Sequence, residues 1–311
     1  MSGTTVLPDD PMWPRASQWL ADGTRRWHEA PVDGSVPDLG LLGVPAHLTS
    51  ISLTNADSTP TAVRAALARY STWVQSAQVD LFDLWAADLG DVADPDGPAG
   101  EQLTDAAVRS WPGGLLIALG GDNSVTYPVA RGADADGLVT LDAHHDLRDG
   151  RSNGSPVRRL IEAGFDGRRV VQIGISDFAN SAGYAARARE YGITVIGRDE
   201  VERKGIDQVM TAALTIASGG SAGRVHVDLD VDVCDRSVVP ACPAAAPGGL
   251  SASELRRAAR AAGAHPNVVS MDLVEVDAAA DTPDQRTVRL VALCVLEAAA
   301  GALSARRRPH S

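Results

Sequence analysis

The chain has 311 residues, 44% hydrophobic and 22% charged, the balance of a soluble globule long enough to bury a large core. Its 40 Asp and Glu against 28 Lys and Arg leave a formal charge of −12. That charge excludes a basic surface for phosphate backbones, and hence predicts no nucleic-acid partner. The cysteines Cys234, Cys242 and Cys294 form no C-x-x-C pair and are odd in number, which excludes a disulfide framework or zinc knuckle. With no basic-then-apolar leader and no uninterrupted apolar run of membrane length, the expectation is a cytoplasmic protein that crosses no membrane.

Residues 1–36 carry Pro8, Pro11, Pro14 and Pro31 among Trp13, Trp19 and Trp27. This composition predicts an irregular N-terminal extension held on the body by its aromatics. Leu39 to Val44 is the first expected strand, and the polar, aperiodic loop Ala46 to Asp57 is placed to lie over a site. Ser58-Thr59-Pro60 has the form of a helix start, continued by Val63, Ala66, Leu67 and Tyr70. A strand–helix rhythm follows, with strands at 114–119, 137–141, 170–175, 193–196, 224–232 and 268–273. The intervening helices fall near 125–130, 156–163, 181–191 and 206–217, then one opened by the capping box Ser251–Glu254, and a long last one at 283–303. Alternation of this kind predicts an α/β fold, a mainly parallel central sheet with helices on both faces. No repeat or linker divides the chain, so 1–311 reads as a single domain.

Chemistry gathers where two of these strands end. Leu138-Val139-Thr140-Leu141 turns into Asp142, His144, His145 and Asp146. Asp142, His144 and Asp146 share a face if the backbone stays extended. Two carboxylates and an imidazole held together call for a divalent cation, and oxygen ligands mixed with imidazole suit Mn²⁺. In His226 to Asp232, the acids Asp228, Asp230 and Asp232 alternate with Val227, Leu229 and Val231. Period two puts all three on one side, where they repel unless neutralised. The two clusters together hold enough ligands for two metal ions sharing carboxylates.

The segments G-G-D-N-S (120–124), D-A-H-H-D (142–146), S-N-G-S-P (152–156), D-V-D-V-C-D (230–235), P-G-G-L (247–250) and S-M-D-L-V-E-V (270–276) resemble, in order, the motifs of the ureohydrolase family of arginases, agmatinases and formimidoylglutamases. The similarity covers roughly residues 38–303 and implies a three-layer α/β/α, arginase-like fold. It further implies that Asp142 and Asp230 bridge two Mn²⁺ ions, that His144 and Asp232 complete one, and that Asp146 and Asn123 complete the other. Glu275 would hold a cationic guanidinium or formimino group, and Asp146 would carry a proton to the leaving amine. Asp228 falls outside the pattern, as an acceptor behind the ligands or through a register offset by two.

Two departures from the family pattern carry information. Asn123 and Asn153 stand where relatives have histidine, which predicts one loosely held metal and argues against arginase activity. The pattern D-A-H-x-D-x-R followed by S-x-G-[ST]-P-x-R is similar to the formimidoylglutamase branch. Its Arg148 and Arg158, with Asn153 and Ser155, are the expected substrate-binding residues, the arginines facing a dicarboxylate. The resemblance thus implies hydrolysis of N-formimidoyl-L-glutamate to glutamate and formamide, in histidine breakdown, by a homo-oligomer acting on a small molecule. The rivals are an agmatinase-like guanidino hydrolase releasing urea, and a non-catalytic member with an impaired metal site.

Overall fold

The structure, a computed structural model, describes residues 14–31, 33–220 and 223–307. Pro8, Pro11 and Trp13 lie outside the described residues. In chain order the elements are α1 (Ala16–His28), β1 (Leu39–Val44), α2 (Thr59–Leu67), the hairpin strands β2 (Trp73–Val74) and β3 (Val79–Asp80), β4 (Ala86–Asp91) and α3 (Gly97–Arg109). Then come β5 (Leu115–Gly120), α4 (Thr126–Gly132), β6 (Gly137–Leu141), α5 (Pro156–Glu162), β7 (Val170–Ile175), α6 (Ala182–Tyr191), β8 (Thr194–Gly197) and α7 (Arg198–Lys204). The chain closes with α8 (Ile206–Ala217), β9 (Val225–Asp230), α9 (Ala252–Ala264), β10 (Val268–Val274) and α10 (Arg286–Arg306).

Eight strands form one sheet in the order β4-β1-β5-β10-β9-β6-β7-β8, and every pairing within it is parallel. All carboxyl ends therefore lie along one edge, the edge that gathers ligands in open α/β folds. The strand alternation divides two cores. On one face Ile117, Leu119, Val139, Leu141, Val227, Leu229, Met271 and Leu273 pack with apolar residues of α1, α2, α8, α9 and α10. On the opposite face Leu116 and Ala118 pack with α3 and α4, and Leu138 packs with α5 and α6. This is the three-layer α/β/α architecture expected. Each fully buried leucine contributes about 1.5–3 kcal/mol, so both faces hold the central strands firmly.

The expected N-terminal irregularity is corrected by α1. Ala16, Trp19 and Leu20 fall at i, i+3 and i+4 and are buried, while Arg25, Arg26 and His28 sit at the negative end of the helix dipole. The aromatics do anchor this segment: Trp19 Nε1 donates to Leu84 O (2.8 Å) and Trp27 meets Trp111 edge-on. The rhythm of the sequence also hid β4 and α3. β4 (A-A-D-L-G-D) lacks β-branched residues because it is an edge, blunted by Asp88 and Asp91, which bind Arg64. The capping box is present as read, with Ser251 and Glu254 each satisfying the other's backbone N–H. By length and composition α10 would pass for a membrane span, but it packs against α9 and α2 and most of it is buried.

Candidate metal centre

β6 and β9 are neighbours with Leu141 beside Leu229, so Asp142 follows alongside Asp230, and Val274 of β10 pairs with Asp230 from the other side. The carboxyl ends of three adjacent strands thus deliver Asp142, Asp230 and Glu275 to one place. Neither β6 nor β9 stays extended beyond that line. β9 stops at Asp230 and turns through a 3-10 segment, Val231–Val233, whose first amides are capped when Asp230 Oδ1 accepts from Asp232 N (2.8 Å). Asp232 is therefore brought to the site by this turn, not by strand alternation. Likewise Asp146 has φ +50° and Glu275 φ +64°, a left-handed conformation uncommon for such residues and typical of strained functional positions.

Ligand atoms of Asp142, His144 and Asp232 all lie within 4.8 Å of one another. His144 Nδ1 donates to Asp232 Oδ2 (2.7 Å), Asp232 Oδ1 accepts from Ala143 N (2.9 Å), and Asp142 Oδ1 accepts from His144 N (2.6 Å). Asp142 is 1% exposed and its Oδ2 has no hydrogen-bond partner. Asp146 Oδ2 accepts from Asn123 Nδ2 (2.6 Å), while Asn123 Oδ1 accepts from Thr126 Oγ1 (2.6 Å). Glu275 Oε1 accepts from Asn123 N and Asn153 Nδ2, both at 2.8 Å. The Ala46 to Asp57 loop does border the site, since Asn153 Oδ1 accepts from Ile51 N and Asp277 accepts from Asn55 N.

The electrostatics show what the cluster lacks. Burial, then Asp232, pushes the Asp142 carboxyl up to about 7. Burial, then Asp122, pushes Glu275 up to about 8. Asp146 and Asp230 are held well above the carboxylate range by burial and by Asp142 and Asp232 respectively. Burial alone would lower His144, but its contacts with Asp142 and Asp232 push it up to about 11. A buried set this short of positive charge, with an orphaned carboxylate oxygen at its centre, fits a divalent cation.

Not every expected residue reaches the site in the expected way. Asn123 turns its amide nitrogen, not its oxygen, toward Asp146. Arg158 is 8% exposed, and its guanidinium donates to Arg148 O, Gly150 O and Glu162. It braces the 148–150 turn. Ser155 is fully buried, its hydroxyl closing the turn to Ser152 O and N. Arg148 is exposed and its guanidinium has no partner among the described residues. Its stem crosses Gly154, where a Cβ would come within 2.7 Å of Arg148 Cδ. His145 points away, its Nδ1 donating to Gln172.

Asp228 lies one pleat below Asp230, between Thr140 and Asp272. The grouped ligand atoms are those of Asp142, His144 and Asp232, and Asp228, like Asp230 and Asp146, is not among them. Burial and Asp272 hold its carboxyl well above the usual range. The sequence reading missed Thr126, which fixes Asn123, and Asp277, which tethers the 46–57 loop. Asp277 stands two residues after Glu275 in E-V-D, and that proximity was its only signal.

A profile of the Arginase family matches residues 37–301. Formimidoylglutamase of Halalkalibacterium halodurans is 34% identical over 270 residues, covering 82% of this chain and 83% of that protein. The crystal structure of formimidoylglutamase from Bacillus subtilis superposes with a TM-score of 0.81 at 30% identity, covering 87% and 88% of the two chains. That of Trypanosoma cruzi formiminoglutamase with Mn²⁺ superposes with a TM-score of 0.78 at 25% identity, covering 88% and 95%. Motif order, parallel sheet and acidic centre agree with a match spanning most of the chain, and the protein belongs to the arginase family of hydrolases.

Proposed function

We propose that the protein hydrolyses N-formimidoyl-L-glutamate to L-glutamate and formamide, using two Mn²⁺ ions. The carrying observation is the placement of Glu275, a carboxylate 6% exposed and fixed by Asn123 N and Asn153 Nδ2 beside the acidic cluster. Similarity to formimidoylglutamases along most of the chain supports the choice of substrate. Asp142, His144, Asp146, Asp230 and Asp232, with Asn123, are the residues that would hold the ions. Bound there, the ions would supply the Lewis acidity that ionises water near neutral pH.

The protein's own groups have distinct tasks. Glu275 Oε atoms bind the N–H groups of the cationic formimino carbon's nitrogens, orienting that carbon for addition of water. Asn153 and Asn123 N hold Glu275 in that orientation. Arg148 offers its unpaired guanidinium to a substrate carboxylate at the mouth. Asp146 takes up a proton from the attacking water and passes it to the leaving glutamate nitrogen as the C–N bond breaks.

The test is turnover by purified, Mn²⁺-loaded protein of formimidoylglutamate, agmatine and arginine. Formamide release from the first alone is expected. Urea release from agmatine or arginine at a higher kcat/KM would overturn the substrate, and inactivity toward all three with a full metal complement would favour a non-catalytic member.

A further inference from the structure

The segment 142–145 follows β6, which ends at Leu141, and is buried except at His144. Buried peptide groups must be paired, and each can be followed to its partner. Asp142 N donates to Ile173 O (3.0 Å). Ala143 N and His144 N donate to the carboxylates of Asp232 and Asp142. Ala143 O accepts from Ser176 N (3.0 Å), which leaves His145 N and His145 O, just past His144, to side chains.

Two side chains from outside the ligand set take them. Asn180 Oδ1 accepts from His145 N (3.0 Å) and Asn180 Nδ2 donates to Ala143 O (2.9 Å), so one amide spans His144. Gln172 Nε2 donates to His145 O (2.8 Å), and its Oε1 accepts from His145 Nδ1 (2.7 Å). Gln172 is fully buried on β7 in register with Thr140, below the cluster, and Asn180 stands on the β7–α6 connection beside it.

We propose that Asn180 and Gln172 are positioning residues that hold the 142–145 backbone so that Asp142 and His144 converge before any ion arrives. They touch neither substrate nor reacting atoms. A ligand pair set by a fixed backbone binds its ion without first ordering the loop, and loss of such outer contacts typically weakens metal affinity about 10–100-fold. The inference rests on the metal reading above.

The experiment is a Mn²⁺ titration of metal-free full-length protein, following free Mn²⁺ by electron paramagnetic resonance, for wild type, Asn180→Ala, Asn180→Asp and Gln172→Met. Circular dichroism melts of the same metal-free samples accompany it. Asn180 is partly exposed and not the cap of α6, so Asn180→Ala is expected to keep a near-normal metal-free Tm while its Kd rises about 10–100-fold. Asn180→Asp keeps only the acceptor for His145 N and should fall between. At saturating Mn²⁺, KM for substrate should be unchanged in both. Equal Kd in wild type and Asn180→Ala, or a lowered metal-free Tm with Kd unmoved, would overturn the inference and leave the metal reading standing. If Asn180→Ala does not fold, Gln172→Met decides by the same two readouts. Wild type that takes up no Mn²⁺ would fail the metal reading itself, and this inference with it.

Discussion

Replacing Glu275 by glutamine separates substrate binding from metal binding. The amide retains an Oε1 that can accept from Asn123 N and Asn153 Nδ2 as the carboxylate does, so the metal-free Tm should stay within about 2 °C, the effect of roughly 1 kcal/mol in a chain of this size. What disappears is the negative charge facing the formimino cation. Hydrogen bonds to charged groups are each worth about 1.5–3 kcal/mol, and a two-point contact puts the loss at about 3–6 kcal/mol. At about 1.4 kcal/mol per factor of ten, kcat/KM should fall roughly 10²–10⁴-fold. Formamide release by the Mn²⁺-loaded variant, with metal content measured after desalting, checks both halves. Glu275→Ala is the structural control, since it strands two buried donors at about 1–3 kcal/mol each and should lower Tm as well. A drop below tenfold in Glu275→Gln, or loss of an ion, would refute the role assigned to Glu275.

Asp142→Asn and Asp230→Asn each remove a proposed shared ligand and should abolish turnover and lower metal content; two ions retained with near-normal turnover would remove that assignment. Asn123→His should raise Mn²⁺ affinity about tenfold or more, roughly 1.4 kcal/mol, read by titration. Unchanged affinity would mean that position 123 does not face an ion, which its present amide orientation toward Asp146 already makes a demanding test. For pH, the folded state raises the acids Asp142 and Glu275 to about 7 and 8 and His144 to about 11. Raised values mean that the folded chain prefers the protonated forms, so their stabilisation is present in acid and lost as pH rises. The metal-free Tm should therefore fall between about pH 5 and pH 9, and Mn²⁺, binding the deprotonated forms, should flatten the curve. A metal-free Tm that climbs over this range would contradict the charge deficit.

The sequence by itself determined the parallel sheet, because apolar strand cores alternating with helices leave one economical arrangement. It also determined which strand ends carry chemistry, since Asp142, His144, Asp230 and Asp232 follow directly on buried apolar runs. Residues whose role depends on a non-local partner were not legible. Arg158 and Ser155 have the types expected of ligand contacts, yet both also brace the 148–155 turn through Arg148 O, Gly150 O and Ser152 O. α1 was hidden behind proline-rich surroundings, and its docking depends on distant Leu84 and Trp111. The turn that returns Asp232 toward His144 arises from a cap formed after β9 ends, where strand periodicity no longer applies. Asn180 and Gln172 had no signal at all, because a side chain that satisfies another segment's backbone is defined by where that segment ends up, 27 to 37 residues away in the chain. Composition and period act locally and determine elements; pairing of buried polar groups is a property of the assembled fold, and only the tertiary structure decided it.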